Sequence, residues 1–99
     1  MTIETIDATT ARDTETGARI HRTPRGWWVA VATGMPTDSV LVGEGDSPEA
    51  ACADLSRTAI QSVGRDCGEA DALEWASYQP GAGFRLAVDA DGWELEDRA

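Results

Sequence analysis

The stretch Gly26–Ile60, GWWVAVATGMPTDSVLVGEGDSPEAACADLSRTAI, decides the fold. Its opening WWVAVAT is aromatic and β-branched, the composition of a pleated, half-buried strand. In SVLVGE, Val40 and Val42 point to one side and Leu41 to the other, the period of a second strand. Gly34-Met35-Pro36 breaks the chain between them. Ser47-Pro48-Glu49 then opens a helix. The Ser47 hydroxyl can cap a free backbone N–H, Pro48 stands where no N–H is needed, and Glu49 puts a carboxylate at the positive end of the helix dipole. Ala51, Cys52, Leu55, Ala59, Ile60 and Val63 share one face at helical spacing, opposite Asp54, Arg57, Thr58 and Gln61. The pattern therefore predicts a helix from 48 to 63, stopped by Gly64.

Working outward, ARIH before the Thr23-Pro24-Arg25-Gly26 turn adds a third strand, so three strands form a meander. Residues 1–16, MTIETIDATTARDTET, are polar and Thr-rich, with Ile3 and Ile6 three apart rather than alternating, and read as a flexible N-terminal tail. From Gly68 to Tyr78 the residues EADALEWA favour a short helix, although Leu73 and Trp75 also alternate like a strand. After Gln79-Pro80-Gly81, Phe84, Leu86 and Val88 alternate, Asp89–Gly92 turns, and Trp93 and Leu95 alternate again: a terminal hairpin. The expected fold class is α+β: a small antiparallel sheet in the order β-β-β-α-…-β-β, one main helix on one face, and a single domain over 17–99.

With 99 residues, the chain suits one small domain. Eighteen Asp and Glu face eight basic residues, all arginine, for a net charge of -10. At a pI of about 4.2 such a chain is repelled by nucleic acid and anionic lipid, so neither is expected as a direct partner, and a basic protein is favoured. No apolar run is long enough for a membrane span and no signal-peptide pattern opens the chain, which predicts a cytoplasmic address. Cys52 and Cys67 with the lone His21 are too few for a structural zinc site, and no disulfide is expected.

Catalytic chemistry is not predicted. Gly43-x-Gly45 lacks the third glycine of a nucleotide loop, which is Pro48 here, and Glu44, Asp46 and Glu49 would repel a pyrophosphate. Asp89, Asp91 and Gly92 copy part of a calcium loop, but its first position would be Ala87 and its twelfth Arg98. His21 stands among arginines with no Cys or Ser signature beside it, and reads as a strand surface residue. No catalytic residue, metal or cofactor is therefore expected.

What does suggest a site is the Trp27-Trp28 pair, whose side chains must point to opposite faces of the strand. The valine face with Trp27 is expected to pack on the helix. Trp28, above Ala30 and Ala32, is then exposed or half-buried, an anchor for a partner or a second copy. Charge is also uneven. Arg19, Arg22 and Arg25 cluster early and form a candidate charged interface, whereas Asp89, Asp91 and Glu94 gather around Trp93 near the C-terminus as a candidate partner surface. A homodimer is expected.

The ordered run of aromatic strand (Trp28, Val29, Ala30), Pro-containing break, strand ending in Gly45 and helix capped by Ser47 resembles the N-terminal domain of HicB-type antitoxins over residues 17–63. Glu49, Ala50, Ala51, Leu55, Ala59 and Ile60 stand where that family's helix carries its apolar and first-turn positions. The resemblance implies a β-β-β-α-β domain of partial RNase H-like or double-stranded-RNA-binding-like topology. It implies no catalysis, and a function of blocking a small basic ribonuclease toxin by occlusion. A different class is an acidic inhibitor of a nucleic-acid-binding defence complex, phage-type, whose carboxylates stand where phosphates would.

Overall fold

A computed structural model describes residues 2–32, 39–55, 57–60 and 69–98. In chain order these form β1 (Ile3–Asp7), β2 (Thr10–Asp13), β3 (Arg19–Arg22), β4 (Trp28–Ala32), β5 (Ser39–Gly45), α1 (Pro48–Ala53), β6 (Arg57–Ile60), α2 (Glu69–Ser77), β7 (Phe84–Asp89) and β8 (Gly92–Asp97). β1 to β6 make one antiparallel six-stranded sheet in sequence order, and β7 and β8 pair as a separate two-stranded sheet. The α+β class and the three-strand meander are as expected, and so are the helix over 69–77 and the terminal hairpin.

The two faces of the large sheet differ in residue size, and that decides what covers each. On one face Ala11, Ala18, Ile20, Ala30 and Ala32 pack against Ala51 and Cys52 of α1, with Trp28, Leu41 and Leu55 at the margin. Gly43 and Gly45 belong to this face: a Cβ at 43 would lie 2.4 Å from the Ala51 carbonyl oxygen, and one at 45 would lie 2.6 Å from Ala50 Cβ. These glycines let the helix press onto the strand itself. On the other face Val29, Val31, Val40 and Val42 meet Ala72, Leu73 and Ala76 of α2 and Phe84 and Leu95 of the hairpin. The taller valine surface takes the larger partners, and each face is closed within the chain.

This corrects the expected placement of the main helix. α1 lies on the alanine and glycine face, because only small residues allow so close an approach, and the valine face is covered by α2 and the β7–β8 hairpin. Helix α1 is also shorter than its periodicity implies. The Ser47 hydroxyl accepts the Ala50 N–H at 3.0 Å as expected, but Asp54 ends the helix, with its backbone N–H on the Ala50 and Ala51 carbonyls. Residues 57–60 then pair with Ser39–Val42 as strand β6. Tertiary pairing to the open edge of β5 overrides a local helical pattern in which Thr58 and Ile60 are β-branched. The Gly34–Pro36 break, the Gly64 stop and Cys67 lie outside the described residues.

Residues 2–16, within the expected tail 1–16, are not a free tail. β1 and β2 form a hairpin that extends the sheet, with Ala11 opposite Ile20 in the alanine-side core and Ile3 packed at its edge. Thr-rich sequence reads as polar, yet Thr is β-branched and suits a strand with one solvated side. The Asp7 carboxylate accepts the Thr9 N–H at 2.8 Å and its hydroxyl at 3.0 Å, which builds the turn. Among the described residues no helix is long and apolar enough to cross a membrane.

Candidate functional site

The site is organised by the C-terminal hairpin and by two carboxylates that fix it to the large sheet. Glu44 follows Val40 and Val42 in parity, so its side chain enters the valine-side layer, and the residue is only 8% exposed. Its Oε1 accepts hydrogen bonds from Trp27 Nε1 at 2.8 Å and from the Gly83 backbone N–H at 2.7 Å. Asp97, at the far end of β8, accepts the Thr23 hydroxyl on Oδ1 and the Arg25 backbone N–H on Oδ2, the latter at 2.8 Å. Thr23 Oγ1 in turn accepts the Trp27 N–H at 3.0 Å, so the β3–β4 turn and the hairpin are held as one unit.

Between the fixed hairpin and the β2–β3 strands runs an open groove of about 410 Å³. Thr9 and Thr10 form one end, His21 and Arg22 the β3 wall, and Trp93, Glu94 and Leu95 the β8 wall. Trp93 is half-buried on the valine-side core and meets His21 edge to face, with ring centroids 5.0 Å apart and planes at 80°. The Thr9 end is tied to the β3 wall, since its carbonyl accepts the Arg22 N–H at 2.9 Å. The groove thus sets the Trp93 and His21 rings beside Glu94, while the Arg22 guanidinium is turned toward Gly26.

Beyond the groove the hairpin ends in an acidic tip. Asp89, Ala90, Asp91 and Glu94 are exposed, and beside them Val88 is 71% exposed. The Asp89 carboxylate accepts the Asp91 N–H at 2.8 Å and so shapes the turn, while Gly92 takes φ 138, a conformation that side chains rarely adopt. The one arginine on these strands, Arg85, lies opposite Glu96, its guanidinium 3.6 Å from that carboxylate. The tip therefore keeps its negative charge.

The sequence-selected residues separate into three places. Trp93 and Glu94 border the groove, with Trp93 turned to the valine-side core and Glu94 to the hairpin's other face, while Asp89 and Asp91 stand exposed at the tip outside the groove lining. Trp28, Ala30 and Ala32 lie on the opposite face beneath α1, where Ala30 is 0% and Ala32 3% exposed. The two alanines are core rather than partner surface, because α1 approaches as closely as their size allows, and Trp28 is half-buried beside them. Nor do Arg19, Arg22 and Arg25 form one patch. Arg19 sits across from Arg12 on β2, Arg22 lies over the β3–β4 turn near Gly26, and Arg25 stands at that turn's exposed corner.

Glu44, Thr23, Gly83 and Asp97 were not selected from the sequence. One signal was present: a carboxylate at the parity of Val40 and Val42 needs a donor beneath it. The site shows little that suits covalent or metal chemistry. Cys52 is buried under α1, and burial, with the negative charges of Asp13 and Glu49, pushes its thiol up to about 11, so it stays protonated near neutral pH. Among the described residues no group of three or more His, Cys, Asp or Glu is placed to hold a metal ion.

No protein-family model, curated protein or solved structure matches the chain. Its function is therefore argued from its own surface.

Proposed function

We propose that this protein is a non-catalytic acidic binding module that occupies a basic surface of a partner protein inside the cell, through its β7–β8 hairpin. One observation carries the reading: the hairpin presents Asp89, Asp91 and Glu94 together with exposed Val88 at its tip, while its base is bonded to the large sheet through Glu44 and Asp97. The charges of the tip speed encounter with an oppositely charged surface, and its apolar side chain adds contact area. Occlusion of this kind needs no turnover.

The narrower form of the proposal is a HicB-like antitoxin domain that neutralises a small basic ribonuclease toxin. The succession β3–β4–β5–α1–β6 supports it, being the β-β-β-α-β order that the resemblance implies, and so does the Ser47 cap on α1. A partial RNase H-like topology belongs to this same proposal. Here β6 returns antiparallel beside β5, and β2 occupies the outer edge of β3.

The test is a tagged capture from native lysate with nuclease added, at low and high salt. The wild-type chain is compared with a variant carrying Asp89→Arg, Asp91→Arg and Glu94→Arg. A small basic protein retained at low salt by the wild type and lost by the variant is the expected result, followed by protection of RNA from cleavage by that protein. A large nucleic-acid-processing complex captured in its place assigns the protein to mimicry of nucleic acid. Equal capture by both chains removes the hairpin as the binding surface.

A further inference from the structure

We infer that the open edge of β8 is the docking line for an extended, basic segment of the partner, which adds to the β7–β8 pair as a third strand. The inference rests on the acidic-module reading and states how that module grips. It starts from the hairpin's register. The Arg98 N–H donates to the Gly83 carbonyl at 3.3 Å, and the register then runs from Phe84 opposite Asp97 to Asp89 opposite Gly92. In an antiparallel pair, residues that exchange hydrogen bonds alternate with residues that do not. The Gly83–Arg98 bond therefore assigns the bonded pairs to Arg85–Glu96, Ala87–Glu94 and Asp89–Gly92.

Trp93 and Leu95 fall between those pairs, so their backbone N–H and C=O groups point away from β7. That direction is the groove: Trp93, Glu94 and Leu95 line it in succession, as an open strand edge does when it borders a cleft. No described strand pairs with β8 on that side. A volume of about 410 Å³ is within the range of ligand clefts, roughly 300–1,000 Å³. The edge is also bounded: Asp97 is tied to Thr23 and Arg25 at one end, and the tip leaves the other end open to solvent.

Charge selects the occupant. Glu94 borders the groove and Asp91 is exposed in the turn before β8, whereas the Arg22 guanidinium is turned toward Gly26, so a strand bearing Arg or Lys at alternate positions meets carboxylate along β8. The half-buried Trp93 ring offers apolar surface to a side chain of the opposite parity. Main-chain hydrogen bonds then supply affinity, and the alternate side chains supply selection, which is how strand addition works in general.

The probe is a capped six-residue peptide of alternating Arg and Val, compared with the same peptide methylated at every backbone nitrogen. Amide hydrogen exchange and chemical shifts of the full chain are followed by NMR at low salt. The unmethylated peptide is expected to slow exchange at Trp93 and Leu95, and methylation to weaken binding by about tenfold or more, since it removes the donors but no charge. Equal affinity of the two peptides, with shifts confined to residues 89–91, overturns strand addition and leaves the acidic tip as a purely electrostatic binder. Failure of both peptides to bind overturns strand addition, while the acidic-module reading stands or falls by the lysate capture with the charge-reversed hairpin. Slowed exchange at Trp93 and Leu95 in concentrated protein without peptide gives the edge to a second copy, which also overturns the inference.

Discussion

Oε1 of Glu44 lies 2.7 Å from the backbone nitrogen of Gly83, thirty-nine residues further along the chain, and this bond joins the large sheet to the loop that leads into the C-terminal hairpin. The same oxygen accepts Trp27 Nε1, and a Cβ at Gly83 would come within 2.7 Å of that indole nitrogen. The three groups therefore fit only as they stand. Removing the carboxylate strands two donors in a part-buried layer, and hydrogen bonds to a charged group are each worth about 1.5–3 kcal/mol. Glu44→Ala is expected to lower stability by about 3 kcal/mol in urea unfolding, and Glu44→Gln, which keeps an acceptor oxygen, by less than half of that. A loss under about 0.5 kcal/mol for the alanine variant would mean that the hairpin is held by its apolar contacts alone.

Gly43 and Gly17 separate space from backbone conformation. At Gly43 a Cβ would lie 2.4 Å from one helix carbonyl oxygen and 2.6 Å from the Asp54 carbonyl carbon, and backbone cannot yield as a flexible side chain can. At Gly17 φ is +75 with nothing within 4 Å of a Cβ, so the cost is conformational only. Gly43→Ala should therefore cost more than about 3 kcal/mol or prevent folding, whereas Gly17→Ala should cost about 1 kcal/mol. Thermal unfolding of the two variants side by side checks the order, and equal losses would show that α1 moves off the strand without penalty.

These glycines also show how far the sequence is legible. The strand at Trp28–Ala32, the cap at Ser47, the helix over 69–77 and the terminal hairpin could be read because each is set by neighbours in sequence. Gly43 and Gly45 read as loop glycines because their reason is a helix packed across them, which no local pattern displays. The strand at 57–60 was hidden for the same reason, since Leu55, Ala59 and Ile60 keep helical spacing while the free edge of β5 decides their state. Trp93 and Glu94 could be chosen from composition. Their grouping with His21 and Arg22 depends on the Asp97 and Glu44 anchors, which bridge 72 and 39 residues.

Asp13 predicts an acid-sensitive hairpin junction. Its side chain is 2% exposed, and burial works against ionisation. Hydrogen bonds from the Glu15 N–H, the Thr16 hydroxyl and the Thr2 backbone outweigh that cost and hold the carboxyl below its ordinary value of 3.8. A depressed carboxyl stabilises the fold fully above its unfolded pKa, and the contribution is lost as pH falls through 3.8 and then through the lower folded value. Asp13→Asn should cost about 1 kcal/mol at neutral pH, the worth of a weakened bond set, and the gap from the wild type should narrow toward pH 3. A gap that stays constant with pH would show that the ionised form is not what the turn uses.

Cys52 gives a probe of α1. Its thiol is buried and pushed up to about 11, so little thiolate forms near pH 8 and the helix blocks access to it. In a chain with Cys67→Ser, alkylation of Cys52 should be slower than that of a free thiol by at least about tenfold, and should accelerate on unfolding in urea. Rapid labelling of the folded chain would place α1 among its least stable parts.

The hairpin tip makes the sharpest kinetic prediction. Asp89, Asp91 and Glu94 are exposed, so reversing each to Arg leaves the valine-side core untouched, and only the Asp89 bond to the Asp91 N–H in the turn is lost, which should leave the circular dichroism spectrum nearly unchanged. Their charges act mainly before contact, by steering a basic surface toward the hairpin, and rim charges of this kind alter association more than dissociation. The triple variant should therefore bind the captured basic partner with an on-rate reduced by about tenfold or more at low salt. The difference should shrink as salt shortens the screening length to about 3 Å at 1 M. If the dissociation rate rises instead, the carboxylates are buried in the complex and contact the partner directly. If both rates are unchanged at low salt, the acidic tip is a solvated coat and the binding surface lies elsewhere.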